Sequence, residues 1–434
     1  MTGTTDQAPY GHSKNAFRAL LLVQGLSVFA HNQLRFWLLT FVAFGNVSFL
    51  GLSGETVIGL STIVMVFPLL FASVPAGRMA DRWDKSSIIR RVKFGQLLLF
   101  AVSAQALWWD NFLLLLVCLA LCGLENALFG PARYSILPEL VQPAALVSAN
   151  ASMKATLITS ILGGMIMGSL LGQTEAGKTW VALLGIAAAA VAWTASHALP
   201  KLQARAPSIS LSIFEILLDF RRGMRTVLSV PGAKAPIFGA NWFWFQGAIT
   251  TTLLPVYVQQ SMGLPPSSVA VLLTVTSLGA VAGAALVKAV DWQNTKEKAP
   301  FLTLLVISGP SLWIWYLGTG VRSESFPLVL SALFVISAGT GFFVVPVTTL
   351  VQLLSPEAER SRLIGVSQTL SGIALVASGL VITSLAAIGL RAVDILTLNA
   401  MTTAIVGAFT LRKSVTWLNV HLDALQSTIN IRRL

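Results

Sequence analysis

The feature that most constrains this chain is a series of twelve apolar runs, each long enough to cross a lipid bilayer. A helix that crosses the hydrocarbon core of a membrane needs about 20 mostly apolar residues. Only 11% of the 434 residues are charged, which is less than half of the share of about a quarter in soluble domains. These properties exclude a large soluble catalytic domain. The predicted spans are residues 18–44, 57–77, 88–108, 112–131, 146–171, 180–199, 235–259, 267–288, 300–319, 326–350, 363–388 and 394–411.

The distribution of Lys and Arg predicts how these spans are oriented, if both tails and every second loop share one side of the membrane. Of the 29 Lys and Arg residues, two fall within spans, three lie in the loops of the opposite side, and all the others lie on the first side. Such an excess marks the cytoplasmic side. We therefore predict an all-α membrane protein with twelve transmembrane helices and both termini in the cytoplasm. The formal net charge of +12 then needs no nucleic-acid partner to explain it.

The one long connector, residues 201–234, divides the spans into two sets of six. Its stretch 211–228 combines apolar side chains with arginines, which is typical of a helix on a membrane surface, although a plain tether fits equally well. Weak similarities between the two sets, such as Pro138-Glu139 after span 4 and Pro356-Glu357 after span 10, predict two pseudo-symmetric halves. The predicted parts are a cytoplasmic N-tail (1–17), a six-helix bundle (18–200), a cytoplasmic linker (201–234), a second six-helix bundle (235–412) and a cytoplasmic C-tail (413–434).

The loop predicted after span 2 runs from Gly77 to Lys85 with the sequence GRMADRWDK. It resembles the signature loop of the major facilitator superfamily, G-x-x-x-D-R-x-G-R-[KR], with Asp84 in place of the second Gly. Glycine at position 77 would permit close approach of another helix, and a carboxylate at Asp81 suits a helix N-terminus or a basic partner. The resemblance implies a major facilitator fold and a latch of the outward-facing state. The predicted latch residues are Gly77, Asp81, Arg82 and Lys85.

Further stretches are similar to one branch of this superfamily, the bacterial lysophospholipid transporter family. They are residues 129–140, 147–164 and 341–352, together with the pattern Asn32-x-x-Arg35. This resemblance implies a multi-pass protein of the bacterial inner membrane that flips lysophospholipids inward for reacylation by alternating access, with its binding cavity between the halves. Two positions differ from the family. His31 stands where an Asp is usual, and Thr251 stands where some members have an Arg.

Polar residues within span 1 predict a substrate site. A charge at the bilayer centre costs at least about 2.5–3.5 kcal/mol, so a charged residue there is expected to face a cavity or a partner. His31 and Arg35 are four residues apart and therefore share a helix face, together with Gln24. A cation beside amides, hydroxyls and indoles suits a phosphate that is attached to an acyl chain. The predicted substrate-binding residues are Gln24, His31, Asn32, Arg35, Asn241, Trp244, Gln246, Thr250 and Thr251.

Glu125 in span 4 and Lys154 in span 5 form a second predicted group. The predicted ends of the two spans place both residues at similar depth, so they are predicted to form an intramembrane ion pair. Three polar residues are predicted to lie on the loop that follows span 4, where a gate and a solvated loop are equal alternatives. They are Arg133, Tyr134 and Glu139.

Three candidate functions fit a chain of this kind to different degrees. The first is an inward lysophospholipid flippase, the second an exporter or importer of another amphiphile, and the third a membrane-embedded lipid acyltransferase. Lipid acyltransferases use a His with an Asp five positions later, and none of the four His residues has this acid. No metal site, cofactor or enzymatic activity is therefore predicted. The expected partners are a lysophospholipid, the bilayer and a cytoplasmic acyltransferase, and the chain is expected to be a monomer.

Overall fold

The computed structural model of the protein describes residues 14–45, 51–142, 146–172, 176–202, 234–286, 325–353 and 360–431, with a few isolated positions between these ranges. Almost all of these residues are helical, as expected for a chain whose backbone polar groups must be satisfied within the membrane. The first six helices are α1 (Lys14–Phe44), α2 (Gly54–Arg82), α3 (Lys85–Trp108), α4 (Phe112–Leu140), α5 (Leu146–Leu171) and α6 (Gly177–Ser196).

In the part of the chain that the structure describes, five further helices follow the connector. They are α7 (Lys234–Tyr257), which a π-helical turn continues over Val258–Met262, α8 (Ser267–Leu286), α9 (Phe326–Leu353), α10 (Arg360–Ala387) and α11 (Ala392–Ile431). Eleven of the twelve predicted spans thus coincide with helices. The ninth predicted span, 300–319, and most of the linker 201–234 lie outside the described residues.

Seven segments of these helices are both long enough and apolar enough to cross a membrane, by length and composition, within the part of the chain that the structure describes. They are Gly54–Ser73, Phe112–Leu140, Gly177–Ser196, Ser267–Leu286, Phe326–Phe343, Thr369–Ala387 and Ala392–Lys413. The all-α membrane architecture predicted from the sequence is confirmed. The side of the membrane on which the termini lie stays a prediction.

Two predicted loops are largely helical. Helix α2 continues to Arg82, so that most of the predicted latch loop belongs to the end of this helix. Helix α4 continues through Pro131 to Leu140, which corrects the placement of Arg133, Tyr134 and Glu139 on a loop. The physical reason is that a proline removes one backbone hydrogen bond without ending a helix whose neighbours support it.

The chain divides into two compact units. The first unit consists of residues 1–40 and 64–217, and the second consists of residues 41–63 and 218–434. The segment 41–63, which contains the end of α1 and the start of α2, therefore belongs to the second unit. The domain bounds predicted from the sequence stay predictions.

Glycines allow the helices of the first unit to pack closely. A Cβ atom at Gly168 of α5 would clash with the carbonyl oxygen of Gln33 and would lie 2.8 Å from the backbone nitrogen of Trp37. A Cβ atom at Gly164 would lie 2.9 Å from the Cβ of Asn32. Helices α1 and α5 therefore approach each other at backbone distance, which fixes the orientation of α1 in this unit.

The second unit uses the same device between α8 and α9. A Cβ atom at Gly283 would clash with the carbonyl oxygen of Ala338, and one at Gly341 would clash with that of Ala280. In lipid no hydrophobic driving force brings helices together. Small residues at such positions allow close van der Waals packing, which stabilises the contact instead.

Candidate functional site

Five polar side chains in the first unit meet in a closed ring between three helices. Ser27 and His31 come from α1, Lys93 and Gln96 from α3, and Glu125 from α4. All five are buried, and the exposed fraction of the side chain is 0% for Lys93, 4% for His31 and 6% for Glu125. Polar groups withdrawn from water in this way are tolerated only when they are paired.

The contacts run around the ring without interruption. Lys93 Nζ pairs with Glu125 Oε1 and also donates to Ser27 Oγ at 2.8 Å. Ser27 Oγ lies 2.9 Å from Gln96 Oε1, to which it can donate. Gln96 Nε2 lies 3.3 Å from His31 Nε2, and the same His31 nitrogen lies 3.4 Å from Glu125 Oε2. We call these five residues the polar ring.

Aromatic side chains line the polar ring. The imidazole of His31 stacks on Phe100 with 6.0 Å between the ring centroids, and Lys93 Nζ lies 3.6 Å from the centroid of Phe129. The guanidinium carbon of Arg133 lies 5.3 Å from the centroid of the same Phe129. The polar ring thus holds one acid, one permanent cation and one histidine in apolar surroundings, and Arg133 lies against the same Phe129.

Lys93 is the member of the polar ring that sequence reasoning missed. The sequence analysis counted this lysine among the loop residues after span 2, but α3 begins at Lys85 and holds Lys93 in its third turn. Periodicity could have found it. The buried face of α3 includes Ile89, Lys93, Gln96 and Phe100, at helical spacing, whereas Arg91 is exposed.

Glu125 therefore has two partners that were not predicted, Lys93 and His31. The side chain of Lys154 lies outside the described residues, and the predicted contact between Glu125 and Lys154 stays a prediction. Helix α4 also carries Cys118 and Cys122, both buried and not in a disulfide. In the described part of the chain, no three His, Cys, Asp or Glu side chains are grouped as metal ligands.

The other predicted residues of α1 have separate surroundings. Gln24 is buried and donates its Nε2 to the carbonyl oxygen of Met153 on α5 at 2.6 Å. Asn32 Nδ2 donates to the carbonyl oxygen of Val28 within its own helix at 2.8 Å. The side chain of Arg35 is partly exposed, and its guanidinium carbon lies 5.6 Å from the centroid of Phe36.

The predicted residues of span 7 lie in the second unit and contact α10 and α11. Asn241 accepts a hydrogen bond from Ser371 Oγ at 2.7 Å. Asn399 Nδ2 lies 3.1 Å from both Thr250 Oγ1 and the carbonyl oxygen of Gln246. Asn399 is a polar residue of this group that the sequence analysis did not include. The other two predicted residues of this span are Thr251 and Trp244. The hydroxyl of Thr251 donates to the carbonyl oxygen of Gly247 in its own helix at 2.9 Å, and the side chain of Trp244 is 39% exposed.

Of the predicted latch residues, Gly77, Asp81 and Arg82 lie at the end of α2, and Lys85 lies at the start of α3. Lys85, at the start of α3, is fully buried and pairs with Glu139, near the end of α4, at 2.8 Å. No described atom lies within 4 Å of a Cβ atom built at Gly77, so the close helix approach expected there is not found among the described residues. The side chain of Asp81 lies outside the described residues, and the latch role stays a prediction.

Asp84, the departure from the signature motif, caps α3. Its Oδ1 accepts from the backbone N–H groups of Ser86 at 3.2 Å and Leu202 at 2.9 Å. Its Oδ2 accepts from the backbone N–H of Ser87 at 3.0 Å and from the hydroxyl of Ser87 at 2.6 Å. Partial burial opposes the charged form, but these hydrogen bonds outweigh burial and hold the pKa of Asp84 below its usual 3.8. The carboxylate thus joins the start of α3 to the chain segment after α6.

Arg133 and Tyr134 lie in the last turns of α4. The guanidinium carbon of Arg133 is 4.9 Å from the centroid of Tyr134, and the Arg133 side chain is buried. Its Nε and Nη1 atoms have no hydrogen-bond partner among the described residues. Whether these residues act as a gate stays a prediction.

Comparisons with known proteins agree with this architecture. The sequence pattern of the Major Facilitator Superfamily matches residues 18–410. The chain is 26% identical over 349 residues to "Lysophospholipid transporter LplT" of Escherichia coli strain SE11, which covers 77% of this chain and 79% of that protein. The protein of the same name from Photorhabdus laumondii is 27% identical over 337 residues, with the same coverage. A crystal structure of a POT family transporter in complex with 5-aminolevulinic acid superposes with a TM-score of 0.71. This superposition covers 92% of this chain and 96% of that one at 12% identity, so it shows the fold alone.

Proposed function

Because the chain belongs to the major facilitator superfamily, and is thus a membrane transporter, we propose that it moves lysophospholipids inward across the bacterial inner membrane, where they are reacylated. The relatives named lysophospholipid transporters support this choice of substrate, since they match more than three quarters of the chain. The proposal includes a monomeric transporter without enzymatic activity, and a cytoplasmic acyltransferase that receives the delivered lipid. It also includes both termini on the cytoplasmic side.

The residue that best supports a lipid phosphate as the bound group is Arg35. This arginine lies in the second half of α1, directly before the apolar stretch 36–39, and its side chain is partly exposed. A cation in the membrane has a high free energy unless a partner or a cavity receives it. We propose that Arg35 faces the translocation path and binds the phosphate of the head group.

The chemistry of arginine fits this role. Its planar guanidinium donates two parallel hydrogen bonds to a phosphate and stays charged when it is partly desolvated. The exposed apolar side chains of α1 offer surroundings in which an acyl chain is stable. The polar residues of α7, among them Asn241 and Thr250, stay proposed substrate-binding residues.

Uptake of labelled lysophospholipid into vesicles that contain the purified protein tests this proposal. Hydrogen bonds to charged groups contribute about 1.5–3 kcal/mol, so Arg35→Gln is expected to lower uptake about tenfold or more. Arg35→Lys keeps the charge but loses the fork, and is expected to retain an intermediate rate. Arg391→Gln, at an exposed arginine that pairs with Asp394, is the matched control and is expected to leave uptake unchanged.

Two results would contradict the proposal. If the parent protein takes up sugars or cationic dyes but no lysophospholipid, the substrate is wrong and the chain transports another amphiphile or solute. If lysophospholipid uptake is intact in Arg35→Gln at equal expression, the substrate stands but Arg35 does not bind its phosphate.

A further inference from the structure

Arg133, two turns before the end of α4, is a buried cation to which the described residues supply no acid. Its exposed fraction is 7%, and its Nε and Nη1 atoms donate to no described atom. The two acids of α4 are both paired with other cations, Glu125 with Lys93 and Glu139 with Lys85. A buried charge without a counter-charge has a high free energy, so an anion from outside this part of the chain is the partner that Arg133 requires.

Two aromatic rings fix the guanidinium without neutralising it. Its carbon lies 5.3 Å from the centroid of Phe129 and 4.9 Å from that of Tyr134. Such cation–π contacts orient the group, but an aromatic ring carries no net charge and is only a weak hydrogen-bond acceptor. The guanidinium is therefore held in position while two of its three nitrogens keep donors for a further ligand.

Arg133 and Arg35 lie on opposite sides of the polar ring. His31 of α1 meets Glu125 of α4, and an apolar cluster joins the first half of α1 to the last turns of α4, so these two helices run antiparallel. At about 1.5 Å per residue, Arg133 lies about 12 Å beyond Glu125 in one direction, and Arg35 lies about 6 Å beyond His31 in the other. The two arginines are thus about 18 Å apart along the helix axes.

We propose that Arg133 is an anion-binding site that takes the phosphate of a lysophospholipid after this phosphate has left Arg35. The inference rests on the proposed function, which places the N-terminus of α1, and with it Arg133, towards the cytoplasm. The site would bind the lipid near the end of its path. A guanidinium donates several hydrogen bonds to a phosphate, and the low dielectric of a buried site strengthens their attraction. No covalent bond is made or broken.

The surroundings of Arg133 favour a lipid phosphate over a free one. The last turns of α4 pack in an apolar cluster with residues of α1 and α3, among them Leu20, Val23 and Ile89. A free phosphate ion carries more charge than the single charge of a phosphodiester, and so loses more hydration on entering such a place. An acyl chain, by contrast, is stable against apolar side chains.

The unpaired state of Arg133 is tested without any ligand. The full chain is purified in dodecyl maltoside, freed of lipid and phosphate, and melted. Arg133→Gln and Arg133→Met, which keeps an apolar stem, are expected to melt at a higher temperature than the parent, because an uncompensated buried charge is removed. Arg391→Gln, at an exposed arginine paired with Asp394, is the matched control and should melt like the parent. If both Arg133 variants melt at a lower temperature, an acid of the chain already pairs with Arg133, and the site is overturned.

Binding is then measured from the dependence of the melting temperature on added lysophosphatidylglycerol. Affinity is expected to fall about tenfold or more in Arg133→Gln, because hydrogen bonds to a charged group are lost. Arg133→Lys keeps the charge with fewer donors and is expected to bind with intermediate affinity. Diacyl phosphatidylglycerol and inorganic phosphate are the comparison ligands. If either depends on Arg133 as strongly as lysophosphatidylglycerol does, bulk lipid or free phosphate occupies the site, and its assignment to the substrate is overturned.

Uptake of labelled lysophosphatidylglycerol into vesicles links the site to transport. Arg133→Gln is expected to lower the maximal rate about fivefold or more with little change in the concentration for half-maximal uptake, because the phosphate meets Arg35 first. Arg35→Gln is expected to raise that concentration. An unchanged maximal rate in Arg133→Gln overturns the transfer from Arg35 to Arg133. Absence of any uptake by the parent contradicts the proposed function, whereas the loss of binding in Arg133→Gln would still support the anion site.

Discussion

At the scale of single residues, the sequence identified most of the buried charges but not how they pair. His31, Arg35 and Glu125 were recognised because each interrupts an apolar run. Lys93 was missed because it follows Arg90 and Arg91 closely, and four basic residues within nine positions resemble one charged loop. Which of these side chains is buried depends on helical phase, and the pairing of Lys93 with Glu125 depends on how α3 packs on α4. Only the structure supplies that information.

The pair formed by Lys93 and Glu125 predicts a strong dependence of stability on both partners. Removal of one partner leaves an uncompensated buried charge, which costs about 3–5 kcal/mol, so Lys93→Met and Glu125→Gln are each expected to lower the melting temperature markedly in detergent. The double variant is expected to recover part of the loss, because it buries no charge at this contact. A double-mutant cycle measures this coupling.

The exposed pair of Lys178 and Asp110 is the matched control for that cycle. Its side chains are 36% and 65% exposed, and such pairs contribute about 0–1 kcal/mol. Lys178→Met and Asp110→Asn should therefore change the melting temperature little. Strictly additive effects of the Lys93 and Glu125 substitutions would show that the two residues do not interact.

At the scale of the helices, the apolar runs predicted nearly every element within a few residues, because span length and composition follow from the thickness of the bilayer. The exceptions are instructive. Pro131 was taken as the end of span 4, but α4 passes through it to Leu140, and the predicted latch loop is largely the end of α2. Where a helix leaves the membrane without ending, hydropathy marks the boundary of the apolar layer and not the boundary of the helix.

The cap of α3 by Asp84 predicts a pH dependence with a definite sign. The folded-state pKa of this carboxyl group is lower than the unfolded value of 3.8, so its contribution to stability is fully present above that value and is lost as the pH falls through the folded pKa. Asp84→Asn replaces one accepting oxygen by an NH₂ group and removes a hydrogen bond to Ser87, which is expected to destabilise the protein by about 1 kcal/mol at neutral pH.

The measurement compares melting temperatures of the parent and Asp84→Asn in detergent from pH 7 to pH 3. The difference between the two proteins is expected to be constant above about pH 5 and to shrink below pH 4, since the titration of other acids cancels in the comparison. A difference that grows towards low pH would have the wrong sign and would refute the role of the carboxylate.

The close contact of α1 with α5 predicts opposite effects of two neighbouring glycine substitutions. Gly168→Ala introduces a methyl group against the backbone of Gln33 and Trp37, and such overpacking costs about 1–3 kcal/mol. Gly163→Ala meets only the ring of Phe29 at 3.5 Å, an ordinary contact, and gains up to about 1 kcal/mol of helix propensity. Thermal melts of the two variants measure both effects. A Gly168→Ala variant that is more stable than the parent would mean that α1 and α5 are farther apart than the structure shows.

At the scale of the whole molecule, fold class and family could be inferred from the sequence because they depend on features that are repeated along the entire chain. Twelve apolar runs, an alternating distribution of Lys and Arg and a central connector require no knowledge of side-chain contacts. The polar ring could not be inferred in the same way, since it consists of five residues from three helices that are far apart in sequence. Long-range polar contacts of this kind are specific to one packing arrangement.

The signature segment at the end of α2 predicts how the whole transporter distributes between its conformations. If Asp81 latches the outward-facing state, Asp81→Asn weakens that state alone, so the population shifts while the affinity of each state for substrate is unchanged. Transport is therefore expected to slow without a matching change in binding. The chain offers a convenient background for the measurement, because Cys118 and Cys122 are both buried and introduced cysteines can carry spin labels, one in each compact unit. Asp110→Asn, at an exposed acid in the connection between α3 and α4, is the matched control. A redistribution of the label distances in Asp81→Asn but not in Asp110→Asn supports the latch, and an unchanged distribution with unchanged turnover at equal expression rules it out.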